Sequence, residues 1–153
     1  MNRSRYTARA LDSVDQAILL TLAQNSRVTV RELAEKVGLS SPSATERMRR
    51  LEDVGVIAGY TIAVDNHALG YPVGVHLLFH PIAGELPRVV AMLAEAPEVV
   101  EADRVTGERC LVAKACLKDL RELERLIDRF VPYAATTAAL IQSSPVKPRL
   151  PNL

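Results

Sequence analysis

The spacing of apolar residues in the first third of the chain predicts three short helices. Asp12 can cap the first helix, whose apolar residues recur at helical intervals: Val14, Ile18, Leu19 and Leu22. Thr29 and Glu32 form a capping box, in which each side chain accepts a hydrogen bond from the other residue's backbone N–H. This box begins the second helix. Its apolar positions are Val30, Leu33, Ala34 and Val37, and Gly38 ends it in a left-handed conformation.

The third helix follows the second after a tight turn. Ser41-Pro42 opens it with proline at the first helical position, where the missing N–H removes no hydrogen bond. Its predicted buried positions are Ala44, Met48 and Leu51, and Gly55 ends it. Two short helices joined by a tight turn that contains glycine are typical of a helix-turn-helix.

A change of pattern follows the helices. Residues 56–64 predict a strand, with Val56, Ile57, Tyr60 and Ile62 as candidates for burial. Residues 65–72 contain polar turn residues, Gly70 and Pro72, and predict a linker between two domains.

Residues 73–142 alternate between strand and helix patterns. The predicted strands are 73–80, 98–106, 109–117 and 134–142, and the predicted helices are 84–97 and 118–131. This βαββαβ order predicts an antiparallel sheet with two helices on one face. The inward residues are expected to be Val73, Val75, Leu77 and Phe79 on the first strand, Leu86, Val89, Val90 and Leu93 on the first helix, and Leu120, Leu123, Ile127 and Phe130 on the second. Residues 143–153, which contain three prolines, predict an extended tail.

The second face of this sheet is also partly apolar. On the third strand, Leu111, Ala113 and Ala115 alternate with Cys110, Val112 and Cys116, so that both faces carry apolar side chains. Contiguous apolar surface of this kind is usually covered by a partner, and a second copy of the chain is the simplest one. The sequence therefore predicts a homodimer.

Composition narrows the class of protein. The chain has 153 residues, of which 48% are hydrophobic and 24% charged, as is typical of globular domains. No apolar run approaches the ~20 residues needed to span a bilayer, and no apolar segment follows the N-terminal arginines, so we expect a cytoplasmic protein. Residues 1–60 carry nine basic and seven acidic side chains, and residues 61–153 carry ten and eleven. The excess of basic side chains in residues 1–60 is small, so a prediction of DNA binding must rest on where the charges lie rather than on net charge.

Several short motifs occur in order along residues 11–142. They are Leu11-Asp12-x-x-Asp15-x-x-Ile18-Leu19-x-x-Leu22, Arg27, Glu32-Leu33-Ala34, Val37-Gly38-Leu39-Ser40, Arg47-x-x-Arg50-Leu51-Glu52, Gly55-Val56-Ile57-x-Gly59-Tyr60, Asp65, Leu69-Gly70-Tyr71 and Val105-Thr106-Gly107-Glu108. In this order, followed by βαββαβ, they resemble the Lrp/AsnC (feast/famine) family of transcription regulators.

The resemblance implies an α+β protein with two domains. A winged helix-turn-helix DNA-binding domain would occupy residues 1–64, and a ferredoxin-like βαββαβ domain for effector binding and oligomerisation would occupy residues 73–142. It also implies dimers paired sheet to sheet, often in larger even-numbered assemblies, that bind double-stranded DNA at the nucleoid. Amino acids or related small metabolites would bind between dimers.

The third helix is the candidate reader of DNA. With its apolar residues buried, Ser43, Glu46, Arg47 and Arg50 are expected to face outward, with Arg49 at the flank. The family's reading positions match Ser41, Pro42, Ser43, Glu46 and Arg47. Arg47 is predicted to hydrogen-bond guanine, and Glu46 to accept from cytosine or to orient Arg47. Arg49 and Arg50 are predicted to contact phosphates. The alternative is an ordinary solvated helix face.

The first ten residues contain three arginines and no acid. Arg3, Arg5 and Arg9 could form an arm that reaches DNA, but a disordered tail that aids solubility is the interpretation we favour.

Thr106, Gly107 and Glu108 form the candidate effector site by resemblance. This turn contributes to the effector pocket in the family, and glycine lets a ligand approach the backbone closely. The sequence departs from the family at Cys110, where an acidic residue, most often aspartate, is usual. A thiol is a poor acceptor for an ammonium group, so we expect weak or no binding of free amino acids. The alternative is that Gly107 only makes a tight hairpin.

The remaining cysteine and histidine residues are not expected to form a site. Cys110 and Cys116 lie roughly 20 Å apart on one strand, too far for a disulfide, and Cys110 fits the role of a small buried hydrophobe better than that of a redox sensor. His76 and His80 lie roughly 13 Å apart, too far to share a metal ion. No metal site, cofactor or catalytic motif is predicted.

Three functions are weighed. The leading one is a sequence-specific DNA-binding transcription regulator modulated by a small metabolite such as an amino acid. The second is an architectural oligomer that bends or compacts DNA without a functional effector site, which the residue at position 110 favours. The third, an enzyme built on the ferredoxin-like domain, lacks a catalytic constellation.

Overall fold

The computed structural model describes residues 11–153, which form two compact units. The first unit comprises the described residues up to Ala63 together with Lys147–Leu153. The second unit is Val64–Val146. The segment expected to be a linker, 65–72, therefore belongs to the second unit. The expected tail is divided between the two units. Arg3, Arg5 and Arg9 of the expected arm lie outside the described residues.

Three helices make the first unit: α1 (Ser13–Gln24), α2 (Val30–Val37) and α3 (Ser41–Asp53). Both predicted caps are present, because Asp12 accepts from the backbone of Asp15 and Thr29 accepts from that of Glu32. Gly38 ends α2 with φ 69°, in the left-handed region that favours glycine. Ser40 caps α3, so Pro42 is the second helical residue rather than the first.

The core of the first unit is small. Ile18, Leu19, Leu33 and Leu51 form its buried apolar cluster, and Met48 packs against it. Ala44 is fully buried, as predicted. Val30, the first residue of α2, was expected in the core but is 38% exposed.

The predicted strand at residues 56–64 is wrong. Val56 and Ile57 are half-buried against the first unit's core, but the segment that follows has no strand structure, and Tyr60 and Ile62 are 51% and 79% exposed. A strand requires hydrogen bonds to a neighbouring strand. Within the described residues, 58–64 makes no backbone hydrogen bond. The burial predicted for Val56 and Ile57 is confirmed in part and that for Tyr60 and Ile62 is wrong, and no described residue supplies a partner strand.

The second unit is a four-stranded antiparallel sheet with two helices. Its elements are β1 (Val73–Pro81), α4 (Leu86–Glu95), β2 (Val99–Arg104), β3 (Leu111–Leu117), α5 (Leu120–Phe130) and β4 (Ala134–Leu140). The strand order is β2-β3-β1-β4, so the first and third strands are central. This arrangement confirms the predicted βαββαβ order, and the ends differ from prediction by a few residues.

The core of the second unit lies between the sheet and its helices. Val75, Leu77 and Phe79 of β1 are fully buried, as predicted, and the Phe79 and Phe130 rings lie 4.8 Å apart between centroids. Two expected core positions are instead exposed: Val90 by 45% and Leu120 by 54%. Leu126 is fully buried on α5, one turn after Leu123, so the buried stripe of this helix is rotated from the predicted one.

Among the described residues, no helix packs on the other face of the sheet. Leu78 pairs with Val112 on β3 and with Thr137 on β4, so these three side chains share that face. Lys114 and Glu101 are paired on the same face, nearer the β2 edge. This face is therefore mixed, with apolar Leu78 and Val112 beside polar Thr137 and the charged pair Lys114 and Glu101.

Candidate nucleic-acid interface and effector site

The amino-terminal half of α3 presents most of the predicted DNA-reading residues to solvent. Ser41, Pro42, Ser43 and Glu46 are exposed, and the Arg49 side chain is 75% exposed. Thr45 is exposed as well, and the sequence analysis had not singled it out. The signal for it was available, because Thr45 follows buried Ala44 and consecutive residues of a helix do not share a face.

Arg47 was expected to face outward, but it is turned towards α1. Its guanidinium donates to Asp15 Oδ1 at 2.9 Å and also reaches the carboxylate of Asp12, and its side chain is only 29% exposed. Arg50 donates to the other oxygen of Asp15 at 2.7 Å and is 44% exposed. Asp15 itself is 3% exposed at its side chain. Two α3 arginines therefore hold a buried α1 carboxylate.

This cluster explains why α1 and α3 keep a fixed arrangement. An unpaired buried carboxylate would be costly, and two charge-assisted hydrogen bonds from α3 satisfy Asp15. The hydrogen bond from Arg47 lowers the pKa of Asp12, assisted by the backbone N–H of Asp15. The same contacts, first with Asp12 and then with Asp15, raise the pKa of Arg47. Sequence reasoning had noted both aspartates as family motif residues but had not paired them with these arginines.

Tyr60 is held against the end of α3. Its hydroxyl donates to Glu52 Oε1 at 2.7 Å, and partial burial together with this carboxylate raises the pKa of Tyr60 to about 12. The contact fixes one residue of the segment that was predicted to be a strand.

The candidate effector turn joins β2 to β3. Thr106, Gly107 and Glu108 are exposed, and Gly107 has φ 106°, a conformation that L side chains rarely adopt. The backbone N–H of Val105 donates to the carbonyl of Cys110 at 2.8 Å and closes the turn. The imidazole Nδ1 of His80 is within hydrogen-bonding distance of the Glu108 carbonyl. Sequence reasoning had missed this contact, because it joins residues 28 positions apart.

Cys110 is partly buried and packs against the apolar core of the second unit. Cys116 is buried, and its sulfur accepts a hydrogen bond from Asn66 Nδ2 at 3.0 Å. Both cysteines are free thiols. The surroundings of Cys110 are those of a small apolar side chain.

Over the described part of the chain, no three His, Cys, Asp or Glu side chains are grouped so as to hold a metal ion. None of the helices in residues 11–153 has the length and apolar character required to cross a membrane.

The sequence matches two family models. A winged helix-turn-helix DNA-binding model covers residues 11–58, and an Lrp/AsnC ligand-binding domain model covers residues 74–151. The HTH-type transcriptional regulator LrpC of Bacillus subtilis is 35% identical over 133 residues, which are 87% of this chain and 92% of that protein.

Solved structures agree with the sequence matches. The structure of B. subtilis LrpC superposes with a TM-score of 0.84 at 34% identity, covering 88% of this chain and 96% of that one. A feast or famine regulatory protein from M. tuberculosis, complexed with L-methionine, superposes with a TM-score of 0.85 at 29% identity, covering 92% and 98%. The curated relatives are named as transcriptional regulators, which sets aside the enzyme alternative. The chain belongs to the Lrp/AsnC family of transcription regulators, with a winged helix-turn-helix domain followed by a ligand-binding domain.

Proposed function

We propose that this protein binds double-stranded DNA sequence-specifically through α3 and that a small metabolite modulates the binding. The observation that carries the first part is the exposure of the first turns of α3, whose polar side chains are free of the core. A recognition helix reads base edges with its amino-terminal residues. Ser41, Pro42, Ser43 and Glu46 are the proposed readers, and Arg49 is the proposed phosphate contact.

Arg47 and Arg50 take a different part in this proposal. Because they hold Asp15, their first role is to fix α3 against α1. Arg50 keeps 44% of its side chain exposed and can still offer a phosphate contact at the edge of the helix. Direct reading of guanine by Arg47 would require it to leave two carboxylates, which disfavours it as the base reader.

A salt titration tests the DNA-binding function. Sites enriched from a random duplex library are compared with random duplex DNA by fluorescence anisotropy at several salt concentrations. Specific regulators prefer their sites by about 10³-fold or more, and both affinities fall as salt rises. Equal affinity for selected and random DNA would instead favour the architectural alternative.

We further propose that the exposed turn between β2 and β3 receives the effector. Its backbone N–H groups and the Thr106 hydroxyl suit a carboxylate or another anion, and Gly107 leaves room for close approach. The M. tuberculosis relative was crystallised with L-methionine, so an amino acid is the first ligand to test. Cys110 offers no strong acceptor for its ammonium group.

Calorimetry with L-methionine and the other common amino acids tests the effector proposal. We expect weak or no binding by the unmodified protein and tighter binding by Cys110→Asp, by about the 1.5–3 kcal/mol of a hydrogen bond to a charged group. Cys110→Ser is the matched control, because it changes the same packed position without adding charge. Micromolar binding by the unmodified protein that Cys110→Asp does not improve would contradict this proposal.

We propose that the protein is a homodimer, able to form larger even-numbered assemblies, in which two copies pair through the uncovered sheet face. Leu78 and Val112 are only partly covered there, and a second copy would remove them from water. Leu78→Glu should yield monomers in sedimentation at micromolar concentration. Val90→Glu, at an exposed position of α4, is the control and should leave the oligomer intact. Monomeric wild-type protein would count against the proposal.

A further inference from the structure

The helical part of the first unit carries no positive excess. Residues 11–63 contain six basic and seven acidic side chains. Four of the basic side chains are in salt bridges: Arg31 with Glu35, Arg47 with Asp12 and Asp15, Arg49 with Asp53, and Arg50 with Asp15. Non-specific affinity for DNA comes mainly from cations that neutralise phosphates. The helices alone therefore carry one more acidic than basic side chain.

A second segment of the chain adds basic side chains to the first unit. Lys147–Leu153 belongs to the first unit, although it follows β4 in the sequence. It contains Lys147 and Arg149 and no acidic side chain. Both are exposed, and neither is in a salt bridge among the described residues. With them, the described part of the first unit has eight basic and seven acidic side chains.

The composition of this segment suits a defined position better than a freely moving tail. Leu150 and Leu153 are each 39% exposed, whereas Val146, just before the segment, is 63% exposed. Pro148 and Pro151 restrict the backbone and reduce the entropy lost when the segment is ordered. Two exposed cations followed by two less exposed leucines suit a segment that keeps a defined position and offers its charges to a partner.

We propose that Lys147 and Arg149 contact the phosphate backbone of DNA bound by the first unit. The C-terminal segment is then a part of the DNA-binding surface, although it follows the sensing domain in sequence. The inference rests on the proposed DNA-binding function and adds a cationic contact to it. Such contacts carry no base preference, so the segment strengthens binding to all sequences alike.

The test compares matched charge changes in the full-length protein. Lys147→Gln/Arg149→Gln removes the two cations of the segment, and Lys118→Gln/Arg121→Gln removes one lysine and one arginine exposed in the second unit. Dissociation constants for random duplex DNA are measured from about 0.05 to 0.3 M salt. Each lost phosphate contact flattens the plot of log affinity against log salt by about 0.9.

For the tail variant we expect a slope smaller by about 2 per bound protomer and an affinity about 10- to 100-fold lower near 0.1 M salt. The second-unit control should leave both unchanged. Lys147→Arg/Arg149→Lys should bind as wild type, because charge rather than side-chain shape carries the effect.

The experiment distinguishes a failure of the proposal for Lys147 and Arg149 from a failure of the proposed DNA-binding function. If the wild type binds DNA with a normal salt dependence and the tail variant has the same slope, the proposed function stands and the tail proposal is overturned. A changed oligomer size with an unchanged slope, seen by sedimentation, also overturns it, since the segment would then serve assembly. Wild-type protein that binds no DNA removes the proposed function itself, and this proposal with it.

Discussion

The cores of the two units differ in the kinds of side chain they bury. The core cluster of the second unit is apolar throughout, from Val75 on β1 to Ala134 on β4, and two helices close it over the sheet. The first unit has four residues in its buried apolar cluster and adds a buried carboxylate, Asp15, held by Arg47 and Arg50. The second unit therefore depends on packed area, and the first on a charge cluster as well. The arginines of α3, the proposed recognition helix, thus stabilise the fold of the first unit whether or not they also contact DNA.

The largest expected effect lies in the apolar core. Phe79→Ala removes a fully buried ring that packs on Phe130, and it should lower the free energy of unfolding of the second unit by about 3–5 kcal/mol. Val90→Ala, at a position 45% exposed, should cost well under 1 kcal/mol. Urea unfolding with hydrogen exchange on the strands measures both. Similar losses for the two variants would contradict the described core.

The charge cluster should give the next largest effect. Asp15→Asn keeps the shape of the side chain but removes the charge that pairs with Arg47 and Arg50, and should destabilise the first unit by about 2–3 kcal/mol. Asp53→Asn is the matched control, because that carboxylate is 70% exposed and 3.9 Å from Arg49. It should change stability by at most about 0.5 kcal/mol. Hydrogen exchange of the backbone amides in α1 and α3 measures the difference in stability. Equal protection of these amides in the two variants would argue against a structural role for Asp15.

A smaller effect is expected at the candidate effector turn between β2 and β3. His80→Ala removes the imidazole that reaches the Glu108 carbonyl and should speed amide exchange across residues 105–110 by up to about tenfold, the equivalent of a typical hydrogen bond. His80→Asn places an amide N–H near the position of Nδ1 and should restore slow exchange. If both variants exchange like the wild type, the turn is held by its own hairpin geometry.

The smallest expected effect is a dependence on pH. Asp12 has a pKa lowered from 3.8 by Arg47 and the Asp15 backbone, so its contribution to stability is present above the unfolded-state value and is lost as pH falls through the folded-state value. Asp12→Asn still caps α1, since asparagine is a good N-cap residue. The difference in stability between wild type and Asp12→Asn should therefore be constant from about pH 7 to 5 and shrink below about pH 4. A difference that grows on acidification would contradict the pairing with Arg47.

The features that the sequence predicts best are those that depend on neighbouring residues or on strands of the same chain. Helix caps and turns depend on residues close in sequence, and Thr29, Glu32 and Gly38 were all placed correctly. The βαββαβ sheet was also predicted, because each strand pairs with another strand of the same chain. The strand predicted at residues 56–64 failed because an apolar pattern does not show whether a partner strand is present.

The candidate site was predictable in part. The position of α3 and the effector turn follow from local pattern and family resemblance. The inward turn of Arg47 does not, since Asp15 is 32 residues away in sequence and a helical wheel places Arg47 at the border between core and solvent. The tail's membership of the first unit likewise depends on contacts between residues distant in sequence.

Selection from a random duplex library tests the division of roles along α3 most directly. Wild type, Glu46→Gln and Arg47→Gln are each allowed to enrich binding sites, and the melting temperature of each protein is measured in parallel. We predict that Glu46→Gln enriches altered sequences with wild-type stability, because an amide donates as well as accepts. Arg47→Gln should melt at a lower temperature and enrich the wild-type sequences. Altered sequences for Arg47→Gln at wild-type stability, with unaltered ones for Glu46→Gln, would contradict the account.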